Sequence, residues 1–428
     1  MATKSLFEAY KNRLAVANTV YSKAHNGESM SNNRKLVTAK VLENTNRFLN
    51  EAFENSVGTQ RADMNMYKKF ALNLTTVALP NLIANDLVIV HPMSSMSGFV
   101  TYIEYQFASN KGGVKQGDLL ANPFEFGKMS DERVDYTGSR VVENVKAGEI
   151  VFAWTPVEGT VKFLADGATE YVDLVAVDGK YTVESAGKVA YVYDNVVIPQ
   201  NDIPMIKAEM KAISLVAKAR RIAVYYSQIA QFQAKTDYGV DLGDQLAEKA
   251  VGELSYEIDT EVIDLLSNMA GEAKDELTWS KTLPVGVSKS EHYDGFVEIV
   301  EIAKQKIYDA TQKFAPNYML IASDVLPVLM LCKAFKAAPT GAINGPYMAG
   351  TLGSLKVFVT PRFKSGRYVI GCNGGDMMSS AAVYAPYIAI TPTSLLGYSD
   401  GGMSQGWSTL YALEPLNKLL VVAGKVVQ

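Results

Sequence analysis

The residues from Asp241 to Gly271 read DLGDQLAEKAVGELSYEIDTEVIDLLSNMAG and carry the strongest structural pattern in the chain. Apolar residues recur there at steps of four and three, which places them on one face of an α-helix. They are Leu242, Leu246, Ala250, Leu254, Ile258, Val262, Leu265 and Met269. Asp241 suits the N-cap position and Gly271 can end the helix. The pattern predicts a helix over 241–271, roughly 45 Å long and longer than the average globular helix.

Upstream of this helix, the first 75 residues are polar and charged and contain little Gly or Pro. The stretch 36–49 nevertheless has helical spacing. Its shared face carries Val37, Val41, Leu42, Thr45, Phe48 and Leu49. Because this face is too polar for a domain core, we expect residues 1–75 to form an extended or helical arm that needs a partner surface.

The middle of the chain is rich in strand signals. Residues 99–107 are β-branched and aromatic and predict a strand, and the Gly- and Asn-rich stretch 108–145 predicts a long protruding loop. Residues 148–198 contain short apolar runs between the turn signals Glu158-Gly159, Asp166-Gly167, Asp178-Gly179 and Ala186-Gly187. This spacing predicts a small sandwich or barrel. It is expected to lean on a neighbour, because about 50 residues are few for an independent core.

Two segments connect this region to the long helix. Ile206, Ala208, Met210 and Ala212 alternate with polar residues and predict a half-exposed strand. Residues 219–235 are expected to be helical.

Beyond the long helix the pattern alternates and then becomes mostly strand. We expect a helix over 293–314, a strand over 318–321 and a helix over 324–335 with Pro327 in its first turn. The expected strands that follow are 355–360, 367–371, 381–390, 409–413 and 419–422.

The composition of the 428-residue chain is that of a globular protein, with 48% hydrophobic and 20% charged residues. The formal net charge is −4, which disfavours strong general binding to nucleic acid. The two cysteines, Cys332 and Cys372, exclude a disulfide framework and a Cys-rich zinc site. The N-terminus lacks the apolar core of a signal peptide, and no apolar run approaches the ~20 residues of a membrane span. We therefore expect a soluble protein of a reducing compartment.

Few residues suggest a catalytic, cofactor or metal site, and we expect none of the three. The histidines are widely spaced, at His25, His91 and His292. The stretch 397–401, Gly-Tyr-Ser-Asp-Gly, matches a nucleophile elbow, but no histidine follows it, so we interpret it as a Gly-rich loop. No Gly-Lys pair belongs to a phosphate-binding loop, and residues 371–376 are expected to be a hairpin joint.

Charged clusters offer a second class of candidate. The acidic pairs are Glu257 with Glu261, Asp259 with Asp264, and Asp131 with Glu132. A glycosidase could use such a pair, although scattered carboxylates more often form a solvated face. The sharpest basic cluster is Lys218, Arg220 and Arg221, for which an ion pair at a subunit interface is favoured over phosphate contact.

The order of these segments resembles that of the major capsid proteins of tailed bacteriophages, which have the HK97-like fold. More narrowly, it is similar to those of large contractile-tailed phages. The segments that carry the closer resemblance are Leu79-Pro80-Asn81-Leu82-Ile83-Ala84-Asn85-Asp86, His91-Pro92-Met93, Ala217-Lys218-Ala219-Arg220-Arg221, 246–263 and 379–387. They span residues 79 to about 390, so the resemblance covers most of the chain.

The resemblance implies an α+β subunit with a division of labour along the chain. Residues 1–75 would be the N-terminal arm, and 99–218 an extended loop that carries the β-rich insertion domain at about 148–198. The peripheral domain would take residues 76–98 and 219–292, with the 241–271 helix as its spine. Residues 293–395 would form the axial domain, and the C-terminal strands of 396–428 would return to the peripheral domain.

The same resemblance implies a structural function without catalysis. The subunit would assemble into hexamers and pentamers and build the icosahedral head around double-stranded DNA, with weak DNA contacts that have no sequence specificity. Its further partners would be vertex, portal, scaffold and decoration proteins, with no membrane involved. It would assemble in the host bacterial cytoplasm and be located in the virion. The alternatives are a pentamer-only vertex paralogue, an encapsulin-like shell and, from another class, a carboxylate-dependent hydrolase.

The family is often processed by a prohead protease after a Leu/Ile-x-Glu sequence. Leu49-Asn50-Glu51 followed by Ala52 fits this pattern, as does Leu6-Phe7-Glu8 followed by Ala9. Cleavage between Glu51 and Ala52 is therefore a hypothesis that the resemblance supplies.

Overall fold

The chain is described by a computed structural model that combines helices with several sheets, which confirms the α+β class. The described residues are 2–24, 27–54, 72–73, 75–76, 78–108, 116–117, 140–152, 155–168, 171–193, 205–239, 241–311, 314–338, 345–393, 396–399 and 401–427. They fall into two compact units, one of residues 1–100, 213–309 and 313–428 and one of residues 101–212 with 310–312. No helix in the described part of the chain is both long and apolar enough to cross a bilayer.

The N-terminal arm is helical where it is described. Its helices are α1 (Ala2–Ala9), α2 (Lys11–Ala24) and α3 (Asn32–Glu54). The α3 helix packs against strand β17 (Ala382–Pro392) of the same chain, and its Val41 and Leu42 side chains are completely buried. The face of α3 therefore has the partner surface that we expect, but the chain itself supplies it, and the judgement that the face is too polar for a core was wrong. Phe48 is the exception on that face and is exposed.

The first unit contains a five-stranded sheet, in the order β1 (Ile89–Val90), β17, β19 (Gly402–Pro415), β10 (Lys218–Ser227), with β18 (Leu396–Gly397) also paired to β19. The β1–β17 pair is parallel, and β19 is antiparallel to both β17 and β10. The helix α4 (Ala84–Leu87) precedes β1.

Strand β10 corrects the helix predicted over 219–235. Only the second half of that segment is helical, as α5 (Gln228–Asp237), where the Ser227 hydroxyl accepts a hydrogen bond of 3.1 Å from the Ala230 N–H as the N-cap. Upstream, Ile222 and Val224 are β-branched and alternate with Ala223 and Tyr225, a pattern that suits a strand once β19 offers a partner.

The long helix is confirmed as α6 (Leu242–Ala270). The Asp241 carboxylate accepts a hydrogen bond of 3.0 Å from the Gly243 N–H, and Gly271 has the positive φ of +68° that favours glycine after a helix. Leu254, Ile258 and Val262 are buried on the apolar face that the spacing predicts.

A seven-stranded sheet forms the rest of the first unit. Its order is β11 (Thr278–Ser280), β20 (Val421–Val427), β16 (Arg367–Gly371), β12 (Tyr318–Ala322), β15 (Leu355–Thr360), β14 (Tyr347–Leu352), β13 (Phe335–Ala337). Helix α7 (Lys289–Thr311) packs on it through Phe296, Val300 and Ile307. Every residue of β12 is buried, as a central strand requires.

One element differs from the expectations for this region. The helix expected over 324–335 is shorter, as α8 (Leu326–Leu331), because the chain turns at residues 332–334 and Phe335 begins an edge strand that pairs with β14. Both sheets link strands that come before residue 395 with strands that come after it. Strand β17 pairs with β19 in one sheet, and β20 pairs with β16 in the other.

The second unit contains short strands, as predicted. Strands β2 (Ser97–Phe107) and β9 (Ile206–Val216) pair as a two-stranded ribbon. The inserted segment forms a four-stranded sheet in the order β3 (Arg140–Val145), β8 (Gly187–Val192), β5 (Lys162–Ala165), β6 (Val172–Asp173), beside the pair β4 (Gly148–Glu149) and β7 (Thr182–Val183).

The core and turns of the inserted segment follow the sequence signals. Val161, Val189 and Tyr191 are buried in its small core. Asp178 and Gly179 have φ angles of +49° and +76°, as a two-residue hairpin turn with two positive φ angles requires. Gly187 differs from the prediction, because it begins β8 instead of occupying a turn. Most of the loop predicted over 108–145 and most of the arm beyond residue 54 lie outside the described residues.

Candidate assembly site

The acidic pair Glu257 and Glu261 does not form a catalytic dyad, because Glu261 is occupied by structural partners. Its carboxylate accepts hydrogen bonds of 2.8 Å from both Nε and a terminal nitrogen of Arg220, and a third of 2.8 Å from the Tyr411 hydroxyl. Burial alone would raise the pKa of Glu261, but these hydrogen bonds outweigh it and lower that pKa. The side chain is thus held ionised as a link between α6, β10 and β19.

The three members of the basic cluster differ in their surroundings. Arg220 points to α6, where its guanidinium also lies 4.8 Å from the ring centre of Tyr411, whereas Lys218 and Arg221 are exposed. The ion pair expected between subunits is therefore made within this chain by Arg220. Nothing in the sequence pairs Arg220 with Glu261 and Tyr411, because the contact exists only once β10, α6 and β19 have assembled.

The two carboxylates of the second acidic pair on α6 have different partners. Asp259 is buried and accepts a hydrogen bond of 3.0 Å from the Ala84 N–H at the start of α4. Burial raises the pKa of Asp259 to about 7, although hydrogen bonds from the backbone of Ala84 and Ile83 oppose the shift. Asp264 lies elsewhere and pairs with Arg362 at 3.1 Å. The third acidic pair, Asp131 with Glu132, lies outside the described residues.

Histidine and cysteine occupy structural positions as well. The ring of His292 stacks on Trp279 at 4.9 Å between centroids, and its Nε2 lies 2.9 Å from the Ser280 carbonyl oxygen. Both cysteines are buried, and burial raises the pKa of the Cys332 thiol to about 11. His25 is outside the described residues. Among the residues that are described, no group of three or more His, Cys, Asp or Glu side chains could hold a metal ion.

The glycine-rich motifs are loops, as predicted. Gly397 ends β18 and Gly402 begins β19, and the Tyr398 N–H donates a 2.8 Å hydrogen bond to the Gly402 carbonyl across the turn. In the other motif, Asn373 pairs with Ser380 in an isolated bridge, and Asp376 and Ser379 form a capping box.

The hypothetical processing site lies within a helix. Glu51 and Ala52 belong to the last turn of α3, where Glu51 is exposed and the neighbouring Leu49 is buried. A protease that binds an extended peptide would require this turn to unwind first.

Strand β9 of the ribbon exposes apolar side chains that we expected to be buried. The strand is confirmed, but the side expected to be buried is exposed, including Ile206 and Met210, which are 54% and 71% accessible. Among the described residues, no layer covers this side of the two-stranded ribbon. An amphipathic ribbon with its apolar side uncovered is suited to contact with another molecule.

Comparisons with known proteins identify the family of the chain. The family described as "Major capsid protein Gp23" matches residues 64–423. The major capsid protein of Escherichia phage AR1 is 23% identical over 367 residues, which cover 74% of this chain and 68% of that protein. The major capsid protein of Enterobacteria phage T4 is 26% identical over 204 residues, which cover 41% of this chain and 38% of that protein.

A solved structure from Microbacterium phage Oxtober96 covers 81% of this chain and 91% of its own, with 10% identity and a TM-score of 0.40. The family follows from the sequence match. Since the family matches 64–423, which is most of the chain, the resemblance to tailed-phage capsid proteins is confirmed. The chain belongs to the major capsid protein Gp23 family.

Proposed function

We propose that this chain is the subunit that assembles with copies of itself, as hexamers and pentamers of an HK97-like fold, into the icosahedral head around a tailed phage's double-stranded DNA. The observation that carries the proposal is the family match over residues 64–423. The exposed apolar side of β9 supports it, because such a ribbon gains free energy when a neighbouring copy covers it.

The division of labour along the chain is part of this proposal. Residues 1–75 act as the arm, 99–218 as the extended loop with its insertion, 241–271 as the spine and 293–395 as the axial domain. A net charge of −4 suits a container for DNA, since strong attraction to phosphate would hinder packaging and release. Vertex, portal, scaffold and decoration proteins are its further partners. Assembly takes place in the host bacterial cytoplasm, and the mature location is the virion.

The subunit performs this function without catalysis. Three of the candidate carboxylates, those of Glu261, Asp259 and Asp264, are engaged in hydrogen bonds and ion pairs that join α6 to the rest of the first unit. This arrangement favours a rigid structural subunit over a site for acid–base catalysis.

The experiment is assembly of the purified full-length chain, followed by electron microscopy and sedimentation. Shells, tubes or hexameric capsomers are expected, whereas pentamers alone would indicate a vertex subunit. A chain that stays monomeric at all concentrations and with phage partners present would overturn the proposal.

The processing hypothesis has a separate test. Mass spectrometry of mature particles is expected to find an N-terminus at Ala52. An N-terminus at Met1 in those particles would refute cleavage after Glu51 and would leave the assembly proposal intact.

A further inference from the structure

Five large apolar side chains near the end of β10 are 53–73% exposed in the first unit. They are Tyr225, Ile229, Phe232, Leu396 and Tyr398, and we call them the Tyr225 surface. None of them belongs to the hydrophobic clusters that form the cores of the chain. Single exposed apolar residues are ordinary, but a contiguous group is not.

The strand register, one ring contact and one backbone hydrogen bond bring the elements that carry this group together. Ser404 of β19 lies opposite Tyr225 of β10 on one side and opposite Leu396 of β18 on the other, so the two apolar residues share one face of the sheet. The Tyr398 ring centre is 6.2 Å from that of Tyr225. The Gln228 N–H donates a 3.0 Å hydrogen bond to the Gly401 carbonyl, which holds the start of α5 beside the β18–β19 turn.

Charged side chains are sparse on the elements that carry the surface, and α5 has only Lys235 and Asp237, both among its last three residues. Helix α5 has no buried residue, and the run from Ile222 to Ala234 contains no charged side chain. Strand β10 ends the order of its sheet among the described residues, and its three basic side chains all lie in its first four positions, at Lys218, Arg220 and Arg221. Charges and prolines normally protect such an edge. Interface cores, in contrast, are depleted in charge and enriched in Tyr and Phe.

The size of the surface indicates part of an interface. Aromatic side chains bury about 150–250 Å² each, so the exposed fractions of Tyr225, Phe232 and Tyr398 amount to roughly 350 Å² before Ile229 and Leu396 are added. This equals the largest apolar patch of many monomers and is about half of what a standard interface buries per partner. The polar side chains of Gln228, Gln233 and Thr236 can supply the remaining rim.

We propose that the Tyr225 surface docks onto a second copy of this chain. The inference rests on the proposed function and specifies which surface of the first unit makes the contact. The second copy is favoured because this chain itself exposes a complementary apolar strip, on Ile206 and Met210 of β9. Contact between two different patches is head to tail, and such contacts close into rings by rotation.

The test compares variants at one position of α5 in the full-length chain. Phe232→Lys places a charge on the α5 part of the surface and is expected to raise the protein concentration needed for assembly by about tenfold or more. Phe232→Leu keeps an apolar side chain and is expected to assemble within about threefold of the wild type. Because Phe232 is 72% exposed, both variants should fold, and an unchanged melting temperature and circular dichroism spectrum check this.

Amide hydrogen exchange supplies an independent measurement on the unmodified protein. Exchange over residues 222–238 is expected to slow when dissociated subunits assemble. A wild type that assembles, with an equally competent Phe232→Lys variant and unchanged exchange over 222–238, would overturn the docking inference alone. Normal assembly of Phe232→Lys combined with loss of a different phage protein from the particle would assign the surface to that protein instead. A wild type that never assembles would overturn the proposed function and this inference together.

Discussion

The buried carboxylate of Asp259, near the middle of α6, accepts a hydrogen bond of 3.0 Å from the backbone N–H of Ala84 at the start of α4. This contact joins the long helix to the segment that leads into β1. Two residues further along α4, Asp86 pairs with Arg34 of α3 at 3.2 Å, so the same short helix also anchors the N-terminal arm. Asp259 therefore lies where three parts of the first unit meet.

The protonation of Asp259 should make stability depend on pH. Its pKa is raised to about 7 in the folded chain, against about 3.9 in an unfolded one, so folding favours the protonated form. The contribution to stability is complete below pH ~4 and is lost as the pH rises through about 7. Asp259→Asn keeps an acceptor for Ala84 and removes the ionisation. We expect this variant to be more stable than the wild type at pH 8, by up to about 4 kcal/mol.

Thermal unfolding at pH 5, 6, 7 and 8 measures this effect, with Asp264→Asn as the control. Asp264 is partly exposed and pairs with Arg362, so its variant should keep the pH dependence of the wild type. If the melting temperature of Asp259→Asn changes with pH in the same way as that of the wild type between pH 5 and 8, the prediction is contradicted.

A second prediction concerns the ion pair of Arg220. Arg220→Ala leaves the Glu261 carboxylate without its guanidinium, and we expect a loss of about 1–3 kcal/mol in the free energy of unfolding. The loss is smaller than for a fully buried pair, because both side chains are partly exposed. Arg221→Ala is a matched control, since Arg221 is the next residue on the exposed side of β10 and should change stability by less than about 0.5 kcal/mol. Equal urea midpoints for the two variants would refute the role assigned to the pair.

The parts of the fold that the sequence predicts are those whose signals are local. Helix α6 could be predicted almost to the residue, because the residues that set its apolar face and both of its ends lie in one continuous stretch of sequence. Strands β15 and β16 have the predicted bounds for the same reason, as short β-branched runs between turns.

Strand β10 shows where such reasoning stops. Its Ala and Arg residues favour a helix by intrinsic propensity, and both of its faces contain apolar side chains, so periodicity does not decide between helix and strand. Pairing with β19, far along the chain, decides it. The Arg220–Glu261–Tyr411 cluster was unpredictable for the same reason. The arm was misjudged because the polar face of α3 concealed how completely Val41 and Leu42 are buried against the chain's own β17.

A third prediction tests the apolar face of α6. Leu254 is 2% exposed and packs in a cluster with Ala250 and Trp407. Leu254→Asp would place an unpaired charge there, at a cost of several kcal/mol, and is expected to abolish soluble folding. The neighbouring Glu253 lies on the exposed side of the helix, so Glu253→Ala should express and melt like the wild type. Normal yield and circular dichroism for Leu254→Asp would show that the buried face is misassigned.

The fourth prediction uses two glycines of positive φ in the seven-stranded sheet region. Gly366 has a φ of +76°, and a Cβ there would collide with the backbone carbonyl of Val426 on β20, whereas Gly353 has a φ of +58° and nothing within 4 Å of the same position. The left-handed conformation costs an alanine about 1–2 kcal/mol at either site, but only Gly366→Ala must also displace a strand. The Gly366 N–H donates a 2.8 Å hydrogen bond to the Asp324 carboxylate, which the displacement would strain as well. We therefore expect Gly366→Ala to lower the melting temperature at least twice as far as Gly353→Ala, and equal shifts in a side-by-side calorimetric measurement would argue against the close packing of this turn on β20.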